Sequence, residues 1–525
     1  MLIMSSIKEL YHAVSINDRF SVVNILEKKN IPIDYINFHP DNPLLEAVKL
    51  TNTDMIKTLL DYGICINTRD ILGNTALHLI AMDYYVPHND IKHGHHNDYV
   101  FKMVPIINLF LRKKANINAC NNLNQTPLHL AAESNNTTLL KILLYNNAKV
   151  NILDIYGNTC LHYAVRGRNI ESIKLLLSYN VDVNIRNFTY WYSALHEAVQ
   201  IGDSKISRCI VSLLLCNKAN VNTRCRLNTT PIFYAINCID TLKLLLENGA
   251  DINATSDNDN AVIHLATENR RYDIIKTLLD YGADVNMIGY RGKTPLYYAT
   301  ENYSYRNMKL LLDHGSNPNI ADHIMNTPLF ISIKCTCIEN TKMLLDSGAD
   351  INHVNDNGET PISYLAPNLI PTPVAILVIS HIVLLKTKYN HIKYLPGFIK
   401  NISVIQNFTK FNNIKKVCED EFRFMRSVSL SANHNLSSYI CNDNLRTLVR
   451  FIKNPKIYYS INKIRIYRNR LYSIIERLLN RKKLHDLVLE LIKDIGVFNK
   501  LPLDIISMIL DFLSDDDLAL MAIFN

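Results

Sequence analysis

The chain has 525 residues, of which 48% are hydrophobic and 20% charged, with only 15 Gly and 17 Pro. This composition can bury cores, and it excludes a collagen-like, low-complexity or mainly disordered chain. The net charge of +8 is unevenly distributed, because residues 1–385 carry 33 basic and 35 acidic side chains, residues 386–500 carry 23 and 8, and residues 501–525 carry none and 5. A basic segment is therefore followed by an acidic end.

Neither end of the sequence predicts export or membrane attachment. The first residues lack the longer apolar core and the cleavage site of a secretory signal, and no lipidation motif is visible. The eleven cysteines show no paired metal spacing, which favours a reducing compartment. The apolar stretch from Val374 to Leu385 is far shorter than the ~20 residues that cross a bilayer, so we expect a buried helix there and no membrane partner.

One pattern, Leu-x-x-Ala or Ile-x-x-Ala, recurs along most of the chain. Most successive copies are 33 or 34 residues apart, and one step of 51 residues indicates an insertion. Such a period is typical of a stack of repeats that bury their apolar faces against each other. The pattern begins at Leu44, Leu128, Leu161, Leu195, Ile232, Ile263 and Leu296, with looser copies at Leu10, Leu77, Leu329 and Ile362.

Each copy of the pattern is expected to open the first of two helices. Thr-Pro pairs such as Thr126 and Pro127 supply an N-cap and a first helical residue that needs no N–H. A second apolar run follows and ends at a C-cap position that Gly63, Gly249, Gly282, Gly315 and Gly348 occupy in some repeats. Asn147, Asn180 and Lys218 stand there in others. An Asn ten residues before the next anchor predicts a hairpin loop of fixed length.

These residues resemble the ankyrin repeat, whose Thr-Pro-Leu-His-x-Ala motif is complete at Thr126 to Ala131. The resemblance implies an all-α fold, an ankyrin-repeat solenoid of stacked helix pairs with hairpin fingers and a concave binding face. We expect ankyrin repeats over residues 1–365, about ten full copies and a partial eleventh. A helical connecting region is expected over residues 366–418, followed by a smaller helical domain over residues 419–525.

Two repeats depart from the pattern. The insertion near residues 82–103 contains His88, His93, His95 and His96 with Asp90 and Asp98, which could bind a metal; without cysteine we expect a solvated loop and no metal or cofactor. One hairpin is a residue longer than the others and carries Tyr190, Trp191 and Tyr192. These aromatic residues either pack on the neighbouring fingers or contact a protein target, and we predict the target contact.

A histidine recurs beside the anchor in five repeats. A catalytic role would not be expected once per structural unit, so the pattern favours a structural hydrogen bond next to the hairpin and the Thr. The five are His78, His129, His162, His196 and His264.

After Pro367 the repeat disappears, and apolar helices with basic faces are predicted. Residues 457–481 interleave arginines and lysines with tyrosines, which could form a nucleic-acid-binding stripe. The apolar residues between them favour packed helices with solvated basic faces. Nucleic acid is therefore not the expected partner.

The last 25 residues predict two short apolar helices, the first with Pro502 in its first turn and Asp504 near its positive end. They resemble the start of an F-box, with Asp504 in place of Glu. An F-box-like end behind ankyrin repeats is similar to the poxvirus ankyrin proteins with a C-terminal PRANC domain. The residues expected to dock the ligase are Leu501, Pro502, Leu503, Asp504, Ile505, Ile506, Ile509, Leu510, Leu513, Asp517 and Leu518.

This resemblance implies a non-catalytic adaptor in the host cytoplasm, or alternatively in the nucleus. The ankyrin face would hold a host protein, and the F-box-like segment 501–525 would recruit the Skp subunit of an SCF-type cullin ubiquitin ligase. The sequence shows no phosphate-binding loop, nucleophile elbow or zinc-protease motif, so no enzyme is expected. The alternative is a passive ankyrin scaffold that sequesters a host factor without recruiting a ligase.

Overall fold

The computed structural model describes residues 2–28, 32–37, 39, 42–82, 95–202, 205–365, 372–431, 434–438, 460, 463–467, 469–471 and 474. Two compact units divide the chain, Met1–Tyr290 and Arg291–Asn525. The regular secondary structure of the described residues is helical apart from two short strands, and the predicted all-α class is confirmed.

The first unit is a series of helix pairs joined by extended loops. A short first helix, such as the seven-residue helix that begins at Pro127, is followed by a longer second helix. The helices are α1 (Leu2–Ser15), α2 (Arg19–Lys28), α3 (Ile33–Asn37), α4 (Pro43–Lys49), α5 (Thr53–Asp61), α6 (Ala76–Met82), α7 (His95–Arg112), α8 (Pro127–Glu133), α9 (Thr137–Tyr145), α10 (Cys160–Arg166), α11 (Ile170–Ser178), α12 (Ala194–Gln200), α13 (Lys205–Cys216), a 3-10 helix (Pro231–Ala235), α14 (Ile239–Glu247), α15 (Val262–Glu268) and α16 (Tyr272–Asp280).

Local chemistry explains where these helices begin and end. Thr126 has an extended backbone at the N-cap of α8, and Pro127 fills the first turn. At the start of α9, Asn136 accepts a 3.0 Å hydrogen bond from the backbone N–H of Leu139. The backbone turns with positive φ after the second helices, as the sequence predicts, at Gly63, Gly249, Gly282, Asn147, Asn180 and Lys218.

The core of the first unit is made by the apolar faces of the helix pairs. Leu128 of α8 and Leu139 of α9 are almost completely buried. The alanine of the repeated pattern is fully buried at Ala47, Ala131, Ala164, Ala198 and Ala266. No single repeat can bury its apolar face alone, so the stack is the folding unit.

A histidine joins each of several first helices to the following hairpin. The backbone N–H of Thr75 donates to Nδ1 of His78 over 3.1 Å, and Nε2 of His78 lies 2.9 Å from the carbonyl oxygen of Gln125. Because Nδ1 accepts from a backbone N–H, Nε2 must carry the proton and donate to that carbonyl. Each imidazole therefore bridges two consecutive repeats in its neutral form.

The same bridge recurs along the first unit. Burial lowers the pKa of His78, His162 and His196 to about 4, and it also lowers the pKa of His129. The predicted structural role of these histidines is confirmed. Nε2 reaches the carbonyl oxygens of Asn158 from His129 (3.2 Å), Tyr192 from His162 (3.2 Å), Thr229 from His196 (3.4 Å) and Met287 from His264 (2.9 Å).

The second unit continues the helix pairs and then changes to longer helices. A short 3-10 turn, Tyr290–Gly292, contains the last residue of the first unit and the first two of the second. The bounds that follow are α17 (Pro295–Glu301), α18 (Tyr305–Asp313), α19 (Pro328–Lys334), α20 (Ile338–Asp346), a 3-10 helix (Pro361–Leu365), α21 (Pro373–Lys388), a 3-10 helix (Asn390–Tyr394), α22 (Pro396–Asn407), α23 (Thr409–Ser427), β1 (Ser429–Ser431) and β2 (His434–Asn435).

A separate apolar core forms near the end of the second unit. Its residues are Val383, Leu384, Cys418, Phe422, Met425, Leu436, Ile464, Tyr467 and Leu471. The carboxylate of Glu421 accepts hydrogen bonds from the backbone N–H groups of Arg465 (2.8 Å), Ile466 (3.0 Å) and Tyr467 (3.3 Å). Ile464, Tyr467 and Leu471, which are interleaved with the basic side chains of residues 457–481, thus belong to a core. This favours packed structure over a nucleic-acid-binding stripe for these residues.

Residues 374–385 form the predicted buried helix, within α21, with Val378, Ile379 and Ile382 fully buried. None of the helices within the described ranges combines the length and the hydropathy of a membrane span. Two local features differ from the expectation of regular α-helices. The first helix is a 3-10 helix in two copies of the repeat, Pro231–Ala235 and Pro361–Leu365, and β1 and β2 form an antiparallel pair after α23.

Lys218 occupies a C-cap with a φ of 66°, where Gly carries no steric penalty. Lys218→Gly is expected to raise the free energy of unfolding by about 0.5 to 1 kcal/mol, because its backbone bonds stay and the left-handed strain is removed. Urea denaturation measures the change. Asn147→Gly, at the equivalent position, is the matched control and should gain less, since Asn tolerates this conformation; an equal gain would contradict the explanation.

The histidine bridges predict acid sensitivity. A folded-state pKa of about 4 for His78, His162 and His196, against about 6.5 in the unfolded chain, means that only the unfolded state binds these protons between the two values. The unfolding free energy is therefore expected to fall as the pH falls from about 6.5 to 4.

Thermal melts followed by circular dichroism across this pH window measure the loss. His162→Gln should have a flatter pH dependence than the unmodified chain, although it is less stable at neutral pH because the N–H of Thr159 loses its acceptor. The exposed His12→Gln is the control. An unchanged slope in His162→Gln would show that the bridge does not cause the acid sensitivity.

Candidate functional site

Hairpin loops project between the helix pairs of the first unit, and we call them fingers. Fingers 1 to 6 comprise residues 64–75, 115–126, 148–159, 181–193, 219–230 and 250–261. Each joins the second helix of one repeat to the first helix of the next. The residues in the middle of each finger form its tip.

Backbone hydrogen bonds connect the tips in series. In every case an N–H of one finger donates to a carbonyl oxygen of the preceding finger, so the tips form a continuous ladder. The donor and acceptor pairs are Asn122 to Leu72 (2.9 Å), Ile155 to Leu123 (3.0 Å), Phe188 to Tyr156 (2.7 Å), Arg226 to Tyr190 (2.9 Å) and Asp257 to Leu227 (3.2 Å).

Arginine side chains strengthen this connection between fingers. A guanidinium nitrogen of Arg186 donates to the carbonyl oxygen of Arg224 over 3.1 Å. Arg224 donates in turn to the carbonyl oxygen of Thr255 over 2.9 Å and to that of Asn228, in its own finger, over 3.0 Å. The tips are therefore fixed before any partner arrives, which lowers the entropy cost of binding.

Large apolar side chains are exposed on five consecutive tips, and we call this set the fingertip ridge. It consists of Ile71, Leu72, Leu123, Ile155, Tyr156, Phe188, Tyr190, Trp191 and Leu227. About half of each of its four aromatic side chains is exposed, on the order of 400 Å² in all. Apolar patches of that size on a protein surface are often functional.

The three aromatic residues that the sequence singled out have different surroundings. Tyr190 and Trp191 are 57% and 49% exposed, and the guanidinium of Arg186 lies 5.3 Å from the centre of the Trp191 ring. Tyr192 is half-buried, stacks on His196 with 5.4 Å between ring centres, and lies 3.0 Å from Tyr234 between hydroxyl oxygens. Tyr192 therefore supports the finger, whereas Tyr190 and Trp191 are exposed at its tip.

Trp191 also has an unusual backbone. Its φ of 58° is in the left-handed region, which is rare for a bulky residue. At the corresponding turn the other fingers carry Gly73, Asn124, Gly157, Asn228 and Asp259, all with positive φ. The left-handed turn recurs in all six fingers, so finger 4 differs from the others in the exposed aromatic side chain that it carries at this turn.

The ridge is larger than the sequence analysis foresaw. The prediction named only one finger, whereas Ile71, Leu123, Ile155 and Leu227 extend the apolar surface over its neighbours. The missed signal is an apolar residue five or six positions before successive anchors. Each such residue alone is an ordinary exposed side chain, and only their alignment makes a surface.

Several predicted features lie outside the described residues. They include all of the F-box-like residues from Leu501 to Leu518, and His88 and His93 of the insertion. α7 begins at His95, within the predicted insertion. Among the described residues no group of three or more His, Cys, Asp or Glu side chains is placed to hold a metal ion.

Comparison with known proteins identifies both parts of the chain. Models described as ankyrin repeats match residues 99–187, 190–256 and 263–355, with a further match over 237–279. The model described as the PRANC domain matches residues 431–522. The crystal structure of the human ASB11 ankyrin repeat domain aligns with a TM-score of 0.37 and 25% identity, over 43% of this chain and 99% of that one.

Two relatives come from fowlpox virus strain NVSL. The ankyrin repeat protein FPV024 is 32% identical over 167 residues, which cover 31% of this chain and 28% of the relative. The ankyrin repeat protein FPV230 is 36% identical over 151 residues, which cover 26% of this chain and 80% of the relative. With its matched repeats and matched C-terminal domain, the chain belongs to the poxvirus-type ankyrin-repeat proteins that carry a PRANC domain.

Proposed function

We propose that the chain is a non-catalytic adaptor directed at the host cell. In this proposal the fingers hold a host protein, and the C-terminal F-box-like residues recruit the Skp subunit of an SCF-type cullin ubiquitin ligase. The observation that carries the proposal is the fingertip ridge on an ankyrin-repeat unit, in the same chain as a PRANC domain match over residues 431–522. Host cytoplasm is the proposed location, with the nucleus as the alternative.

Target binding is supported by the chemistry of the ridge. Trp, Tyr and Arg are the residue types that most often dominate the energy of protein interfaces, and Tyr190, Trp191 and Arg186 combine them at one tip. Because the tips are connected by backbone hydrogen bonds, little ordering is needed on binding. We therefore place the target contact at Tyr190 and Trp191, with Tyr192 in a supporting position.

Ligase recruitment is supported by the sequence of the last residues. Ile505, Ile506, Ile509, Leu510 and Leu513 follow helical spacing, and they lie inside the PRANC match. If about four or five of these side chains enter a groove of the partner at about 1.5 to 3 kcal/mol each, a micromolar to nanomolar complex remains after association costs.

The proposal assigns no chemistry to the chain itself. The recurrent histidines, which are the most obvious candidate bases, are buried and neutral, and both nitrogens of each engage the backbone in bridges such as that of His78. Ubiquitin transfer would be performed by the recruited ligase.

Affinity capture from host cells with the full chain and two variants tests both ends separately. Tyr190→Ala with Trp191→Ala is expected to lose target proteins and keep Skp and cullin subunits. Ile509→Asp with Leu513→Asp is expected to lose the ligase subunits and keep the targets, because a buried charge prevents docking. Ser507→Asp, on the polar side of the predicted helix, is the matched control and should keep both. Quantitative mass spectrometry reads the result.

The outcomes separate the candidate functions. Targets captured without any ligase subunit would establish the passive scaffold in place of the adaptor. Ligase subunits that remain bound to Ile509→Asp with Leu513→Asp would show that recruitment does not use the F-box-like residues. If the double variant Tyr190→Ala, Trp191→Ala captures the same host proteins as the unmodified chain, the target contact lies elsewhere.

Stability measurements distinguish a binding role of Trp191 from a structural role. Trp191→Asn is expected to change the free energy of unfolding by less than about 1 kcal/mol, because relief of the left-handed backbone offsets the loss of a half-exposed side chain. Tyr192→Ala is expected to lose more than about 2 kcal/mol, since it removes the stacking on His196 and the hydroxyl contact with Tyr234. Equal losses in urea denaturation would make Trp191 a structural residue.

A further inference from the structure

The fingertip ridge carries a charge pattern that the proposed function does not use. Fingers 4 and 5 contain Arg186, Arg224 and Arg226, and their single carboxylate is Asp182, at the start of finger 4. Finger 6, by contrast, carries Asp257 and Asp259 near its tip. The ridge is therefore positive where its aromatic residues lie and negative just beyond them.

The positive charges of these arginines are not neutralised within the described part of the chain. Arg186 and Arg224 donate to backbone carbonyl oxygens, which carry no net charge. No carboxylate among the described residues forms an ion pair with these two or with Arg226. All three side chains are exposed. An arriving carboxylate would therefore meet guanidinium groups with N–H donors still to offer.

Apolar and cationic groups are adjacent on the ridge. The Arg186 guanidinium lies against the Trp191 ring, and the backbone N–H of Arg226 donates to the carbonyl oxygen of Tyr190, which places Arg226 and Leu227 beside the aromatic tip. Leu227 is 63% exposed. A ligand on this surface is offered apolar contact and positive charge together.

We propose that the ridge across fingers 3 to 5 binds a segment of the target protein in which bulky apolar residues stand next to acidic residues. This inference rests on the proposed function, since it specifies the chemistry of the target that the fingers hold. Complementary charge would speed encounter and disfavour basic segments. A protein segment fits better than nucleic acid, because exposed aliphatic residues such as Ile155 and Leu227 line the ridge and offer apolar contact that bulky apolar side chains use and a phosphate backbone does not.

Selection of random 12-residue peptides on the immobilised full chain tests the proposal. The selected peptides are expected to be enriched in Leu, Phe or Trp together with Asp and Glu. One fluorescein-labelled selected peptide is then titrated by anisotropy against the full chain and its variants. Trp191→Ala and Arg226→Glu are each expected to weaken binding by about tenfold or more, and added salt should weaken binding to the unmodified chain.

Matched controls come from α9, where Tyr145 is 81% exposed and Lys141 is exposed. Tyr145→Ala and Lys141→Glu are expected to change the affinity by less than about twofold. A charge exchange gives the sharpest test. A peptide in which the acidic residues are replaced by Lys should bind Arg226→Glu better than it binds the unmodified chain.

Three results would overturn the proposal. The first is that the selected peptides are not enriched in acidic residues. The second is that an acidic peptide binds the unmodified chain and Arg226→Glu with equal affinity. The third is that the ridge binds a labelled single-stranded DNA more tightly than the selected peptides. If the double variant Tyr190→Ala, Trp191→Ala still fails to capture host proteins, any of these three results removes only the preference of the ridge for acidic segments. If no host protein depends on these residues, the proposed target contact itself fails.

Discussion

The imidazole bridge between consecutive repeats is the interaction on which the first unit depends. One ring accepts the backbone N–H at the start of a helix and donates to a carbonyl oxygen of the next finger, as His129 does between Thr126 and Asn158. The N–H of Thr126 would otherwise be buried without this partner, at a cost of about 1 to 3 kcal/mol, whereas the carbonyl oxygen of Asn158 also accepts from the N–H of Asp154. The bridge therefore fixes the helix start and the position of the following finger together.

Where histidine is absent, other side chains stand at the same position. Tyr297 reaches a carboxylate oxygen of Asp322 over 2.8 Å, from the start of α17 toward the following hairpin, whereas Phe233 and Phe330 are buried there without a polar group in the ring. Polar bridging and apolar packing are thus interchangeable ways of holding neighbouring repeats. The stack tolerates this variation because each interface contributes its own share of the stability.

Much of this fold could be predicted from the sequence because its determinants are local. The Thr-Pro starts, the C-cap at Lys218 and the structural histidines each depend on residues within one repeat or its immediate neighbour. The different exposure of Trp191 and Tyr192 could not be predicted, because it depends on how one finger packs on Tyr234 of the next repeat. Likewise, the contribution of α21 to the core around Phe422 joins residues far apart in sequence.

The rigidity of the fingers and the strain at Trp191 are connected. A left-handed conformation at a bulky residue persists only when its surroundings hold it, and here Asn187 accepts hydrogen bonds from the backbone N–H groups of Tyr190 and Tyr192 on either side of it. Gly or Asn would satisfy the turn at lower cost, as they do in the neighbouring fingers. The contact of the Trp191 ring with the Arg186 guanidinium, worth about 0.5 to 1 kcal/mol at an exposed site, offsets part of a backbone strain of about 1 to 2 kcal/mol, and the proposed binding role of the exposed indole ring accounts for the rest.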